Sequence, residues 1–115
     1  MFTREEKRGL TEQDFRGADL SEVDLSGANL QGSTFEGCCL RGCDLRAADL
    51  RAVRFLRCDL RDAQLGGARL GDNRFDGSCC ARVFGLSRLQ VQYVRARGGT
   101  FIDWAEAPYL APDLE

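Results

Sequence analysis

GADLSEVDLSGANL, residues 17–30, repeats itself every five residues. Leu20, Leu25 and Leu30 each follow a polar Asp19, Asp24 or Asn29, and each lies two places after a small Ala18, Val23 or Ala28. The pattern extends both ways. From Phe15 to Phe75, thirteen consecutive fifth positions are Leu or Phe, before Cys80 ends the run. A step of five wanders around a helix, whose apolar face recurs at three and four, and it is not the alternation of a plain strand. A small–polar–large triplet places its small and large side chains on one side of an extended segment, as neighbours two apart do. The two residues that follow then turn a corner, and glycine there, as at Gly17 and Gly27, tolerates φ > 0.

GADLS at 17–21, GANLQ at 27–31 and AADLR at 47–51 resemble the A(D/N)LXX consensus of the pentapeptide-repeat family. The resemblance covers residues 11–82 and implies an all-β fold, a right-handed quadrilateral β-helix in which each pentapeptide forms one side. The aromatic residues test that coil independently. Phe15, Phe35, Phe55 and Phe75 are each twenty apart, so four sides per coil stack them as one ladder, whereas three sides scatter them. The array makes about four coils, and a stack of this kind needs its ends covered. Residues 1–10 are the expected N-terminal cap, 11–82 the β-helix, and 83–115 a C-terminal capping or dimerisation segment. After Cys80 the pattern is expected to fail, with Arg82 at a corner and Gly85 at a core site. Residues 86–97 read as a short helix with Ser87 as N-cap, Gly98 as stop, and Leu89, Tyr93 and Val94 on one face; a strand over Leu89, Val91 and Tyr93 is the alternative. Leu89, Tyr93, Phe101, Trp104 and Tyr109 are the candidate cap or dimer contacts.

The chain has 115 residues, one domain's worth, and a formal net charge of -2. It holds no histidine, which removes the usual general base and the commonest metal ligand. No phosphate-binding loop is present. The expectation is therefore a protein that is no enzyme and has no cofactor or metal. A charged N-terminus without an apolar stretch, and no apolar run of membrane length, point to the cytoplasm and to reduced thiols. Cys38, Cys43 and Cys58 fall in the small inward column and Cys80 in the large one, where cysteine acts as a small hydrophobe. Cys39 and Cys79 point outward with Asp59 between them.

Arginines gather in the later coils, while the first coil carries Asp14, Asp19, Glu22 and Asp24. Arg41 stacks with Arg61 and Arg54 with Arg74; these four and the outward Leu56 are the candidate interaction surface, with Asp44, Asp49, Asp59 and Asp62 as available counter-charges. The function expected is a non-catalytic protein-interaction scaffold with an unknown protein partner, or a second copy through the C-terminal segment. Direct nucleic-acid binding and membrane insertion are not expected. The family resemblance also implies an alternative, a DNA mimic that binds DNA gyrase or topoisomerase IV and protects it from quinolones or related toxins. A further one is an accessory or targeting piece of a larger assembly.

Overall fold

A computed structural model describes residues 2–103 of the chain. Parallel bridges join Asp14 to Thr34, Asp19 to Cys39, Asp24 to Asp44 and Asn29 to Asp49. Each five-residue side therefore meets the side twenty residues on, and four sides complete one turn of a β-helix. Along the first side the pairing is regular enough to form two strands, β1 (Thr34–Glu36) and β2 (Arg54–Leu56), in parallel register with Phe35 opposite Phe55. Elsewhere the contact at each side is a single bridge, because the corners interrupt the ladder every five residues. The bonds are short throughout: Phe15 N–H donates to Thr34 O at 2.9 Å, and Thr34 N–H to Gln13 O at 2.9 Å.

The large column fills the interior. Leu25, Leu30, Phe35, Leu40, Leu45, Leu50 and Leu60 are fully buried. The four phenylalanine rings stack at centroid separations of 4.8, 5.3 and 5.2 Å, with interplanar angles of 10 to 16°. The small column lies beside them, and its polar members bond to the coil below. Cys38 Sγ donates to Phe15 O, Cys58 Sγ to Phe35 O and Ser78 Oγ to Phe55 O, at 2.8, 2.9 and 2.7 Å. A buried thiol or hydroxyl thus stands where alanine also serves, because a carbonyl is always within reach. At the corners, every residue two places after the large one, from Glu12 to Arg82, has φ between 53° and 75°. Glu12, Glu22, Ala47, Ala52, Arg57, Asp62, Asp72 and Arg82 adopt this left-handed conformation without being glycine.

Arg82 keeps the corner conformation, and Phe84 still bridges to Gln64, so the winding runs one quarter-turn further than the loss of the Leu/Phe column suggests. It stops at Gly85, which lies against the backbone of Gly66 so closely that an added Cβ would sit 2.5 Å from Gly66 Cα. Two helices flank the coils. α1 (Arg4–Arg8) starts with a capping box between Thr3 and Glu6. α2 (Arg88–Ala96) starts with one between Ser87 and Gln90, so the helical reading of 86–97 is the one that forms. Val94 is its buried residue, but Leu89 does not share that face and is 76% exposed. Tyr93 ties α2 to the last coil: its hydroxyl accepts from Asn73 N–H at 2.9 Å. Beyond α2 the chain returns to the ladder, where Phe75 N–H donates to Arg97 O and Cys80 N–H to Thr100 O. Trp104 and Tyr109, named among the candidate contacts, lie outside the described residues.

Candidate interaction surfaces

Where the outward residue of a side is Asp or Asn, it is structural before it is anything else. Asp14, Asp44, Asp49 and Asp59 each accept the backbone N–H of the residue two places on, at 3.0 to 3.3 Å, which fixes the corner as an Asx turn. Where that residue is arginine, the side chain folds back onto the same carboxylate. Arg46, Arg51 and Arg61 each bind their Asp through Nε and Nη2, at 2.9 and 2.7 Å. These fork-like pairs hold the Asp44 and Asp49 carboxyls below the usual carboxylate range. Asp19 and Asp24 use Ser21 and Ser26 instead, with hydroxyl contacts of 2.6 Å.

This accounting absorbs most of the arginine surface. Arg41 Nε lies 3.7 Å from Asp62, and Arg74 Nη2 lies 2.6 Å from Asp76. Arg61 is held by Asp59 and by Asp103, and its side chain is only 16% exposed, so it belongs to the packed structure rather than to an open patch. Arg54 is exposed and makes no ion pair among the described residues. Leu56 is half-buried between Glu36 and Asp76 in its column. The four arginines therefore do not form one free cationic face.

Asp103 was not foreseen, since it lies outside the repeat and no period announces it. It is 9% exposed and ion-paired to Arg61 and to Arg82, the latter also paired with Asp62 at 2.7 Å. This network lays residues 100–103 over the second side. Cys79 is consequently buried rather than outward: it bridges to Thr100 and its thiol donates to Ile102 O at 3.4 Å. Cys39, on the same side, stays half-buried. Cys43 and Cys80 are pushed up to about 12 by burial, and Cys58 is pushed up by its hydrogen bond with Cys38 and by burial, so these thiols stay protonated. Among the described residues no group of three or more metal-ligating side chains converges, and no helix is long and apolar enough to cross a membrane.

The remaining exposed apolar surface is concentrated at one end. Phe84, Leu89 and Ile102 are 61, 76 and 51% exposed. In the same C-terminal segment Arg95 lies over the Phe101 ring at 5.2 Å and Arg97 over the Tyr93 ring at 3.9 Å.

Five-residue sides, a twenty-residue register and Asx-turn corners agree with a family profile described as a pentapeptide repeat region, which matches residues 9–83. The chain belongs to the pentapeptide-repeat family. Among solved structures it is similar to the pentapeptide repeat protein Rfr23 of the cyanobacterium Cyanothece 51142, at 27% identity and a TM-score of 0.62, over 64% of this chain and 50% of that one. The chain thus spans about half the length of that relative. A pentapeptide repeat protein of the Arabidopsis thaliana thylakoid lumen matches at 24% identity and a TM-score of 0.33, over 84% of this chain and 81% of that one. QnrB1, a plasmid-mediated fluoroquinolone resistance protein, matches at 19% identity and a TM-score of 0.28, over 71% of this chain and 50% of that one. At those scores the last two carry no argument about function. No curated protein matches the chain.

Proposed function

We propose that this pentapeptide-repeat chain is a non-catalytic scaffold that binds another protein. The observation that supports this is where the large exposed hydrophobics lie. Phe84, Leu89 and Ile102 all fall near the C-terminal end of the coils, whereas the corner charges of the coil body are largely satisfied internally. Apolar side chains left in water at one end of a rigid stack are what a partner would cover. In this reading residues 83–115 close one end of about four coils and also present the contact, while residues 1–10 cap part of the other end.

The test compares capture from the native host by the wild-type chain and by a Phe84→Ser, Leu89→Ser double variant, with folding of both checked by circular dichroism. A partner held by the first and lost by the second is expected. No stable partner for the folded wild-type chain sinks the reading. Solution mass separates a foreign partner from a second copy. A gyrase supercoiling assay addresses the DNA-mimic alternative, for which the acidic first coil followed by arginine-rich coils is a poor imitation of a uniformly charged duplex.

A further inference from the structure

The opposite end of the stack is open on two sides. In the second coil, Thr34 and Cys39 donate their N–H groups downward to Gln13 O and Ala18 O, at 2.9 and 3.1 Å. The carbonyls of Thr34, Glu36, Cys39 and Arg41 accept from Phe15, Gly17, Leu20 and Glu22, at 2.8 to 2.9 Å. The equivalent groups of the first coil have no counterpart below. Among the described residues, the amides of Asp14 and Asp19 donate to nothing, and the carbonyls of Asp14, Arg16, Asp19 and Ser21 accept nothing. The core above this edge is also incompletely covered: Phe15, Leu20 and Val23 are part-exposed, whereas Phe35, Leu40 and Cys43 one coil up are fully buried. Exposed Glu12, Asp14, Asp19 and Glu22 rim the opening.

The protein shows what chemistry this edge accepts. Beneath the adjoining sides, α1 supplies a backbone carbonyl, Lys7 O, to Asn29 N–H at 2.8 Å. It also supplies a cation, Lys7 Nζ, to Asp24 at 3.2 Å and to Ser26 Oγ at 3.5 Å. A second copy is a poor occupant. Its own lower edge brings the same carboxylates face to face, which repels. At its upper end the Leu65, Phe75, Gly77 and Cys80 amides already donate to Phe84, Arg97, Gly98 and Thr100.

We propose that the open edge from Gln13 to Glu22 docks a lysine- or arginine-rich segment of a partner protein, which adds as two further short parallel sides, bent at one corner below Gly17, beneath Phe15 and Leu20. Its carbonyls take the Asp14 and Asp19 amides, its amides take the four free carbonyls, its apolar side chains cover Phe15 and Leu20, and its cations meet the acidic rim. This rests on the scaffold reading and gives it a second contact, at the end away from Phe84 and Leu89.

The probe is a fluorescein-labelled ten-residue peptide with Val-Lys-Val-Lys-Gly written twice, which follows the spacing of the two open sides and their corner, titrated into the full chain and followed by anisotropy, with amide hydrogen exchange read by NMR. Saturable binding is expected, with the Asp14 and Asp19 amides newly protected. N-methylation of alternate peptide amides is expected to weaken it by about tenfold or more. So is the combined variant Glu12→Gln, Asp14→Asn, Asp19→Asn, Glu22→Gln, whose asparagines keep the corner acceptors. No binding, binding indifferent to N-methylation, equal binding of a glutamate–valine peptide, or protection confined to other amides overturns the proposal. So does protection of these amides by self-association without peptide. None of these outcomes touches the host-capture comparison at Phe84 and Leu89, so the edge and the scaffold reading fail separately.

Discussion

Arg61 Nη1 donates to Asp103 Oδ1 at 3.2 Å across forty-two residues of chain, and Arg82, one coil above Arg61's neighbour Asp62, pairs with the same carboxylate. The chain that leaves the repeat is thereby fastened back onto the side it left. The pair is mostly shielded from solvent at Arg61 and Asp103, so it is worth more than an exposed surface pair.

Asp103→Ala is therefore expected to cost about 1–3 kcal/mol, through the lost charge-assisted bonds. Its more specific effect is on Cys79, which is covered by residues 100–103. In the native wild-type chain, Cys39 alone of the six cysteines is part-exposed and is expected to react promptly with a thiol reagent. In the variant a second thiol, identified as Cys79 by mass spectrometry, becomes reactive. An unchanged labelling pattern would show that the segment stays down without Asp103.

The aromatic ladder predicts a graded response. Phe55 is 1% exposed between Phe35 and Phe75, at 5.3 and 5.2 Å, so Phe55→Ala removes a fully packed ring and is expected to cost about 3–5 kcal/mol. Phe15 is only part-buried and has a ring on one face, at 4.8 Å, so Phe15→Ala is expected to cost about 1–2 kcal/mol. Urea denaturation of the two variants compares them directly, and equal losses would contradict the partly open first coil.

The corners give a prediction of opposite sign. Ala52 is exposed with φ 62°, a conformation that L-residues adopt at a cost of about 1–2 kcal/mol. Ala52→Gly relieves that cost while loosening the unfolded chain, and a net gain of about 0.5–1 kcal/mol is expected. Gly85→Ala should do the reverse. Its Cβ would lie 2.5 Å from both Cα and N of Gly66, where only backbone movement makes room, so a loss of about 1–3 kcal/mol is expected. Thermal denaturation of both variants checks the pair of signs.

The coil was legible because a five-residue period has few solutions and the Phe15–Phe75 spacing selects four sides. The corner chemistry was half legible. Asp44 could be read as an available counter-charge, but the i, i+2 geometry that pairs it with Arg46 within one corner depends on the turn's conformation. Three-dimensional adjacency across unlike segments was not legible. Asp103 meets Arg61 and Arg82 through a loop with no repeat, and Cys79 follows the outward column yet is roofed by that loop. The exposure of Leu89 escaped for a similar reason. The helical pattern puts it near Tyr93, but only the docking angle of α2 decides that Val94 faces the core and Leu89 faces water.

Acid should unfold the protein in a defined window. The Asp24 carboxyl is held down to about 2, first by the Ser26 hydroxyl, then by the Ser26 amide and by Lys7. Asp44, Asp49 and Asp62 are lowered by hydrogen bonds from Arg46, Arg51 and Arg82. A carboxyl whose folded pKa lies below its unfolded value of about 3.9 stabilises the fold above that value and loses the contribution as pH falls. Stability should therefore decline from about pH 4 toward pH 2. Between about pH 5 and pH 6 it should be nearly flat, because the chain has no histidine, Cys43 and Cys80 are pushed up to about 12, and Cys38 is lowered no further than about 7 by its hydrogen bond with Cys58. Urea midpoints measured across this range test the shape. Asp24→Asn keeps an acceptor for Ser26 but removes the charge, so its curve should lie below wild type at neutral pH and converge with it near pH 2. Parallel curves over the whole range would show that the Asp24 charge contributes nothing.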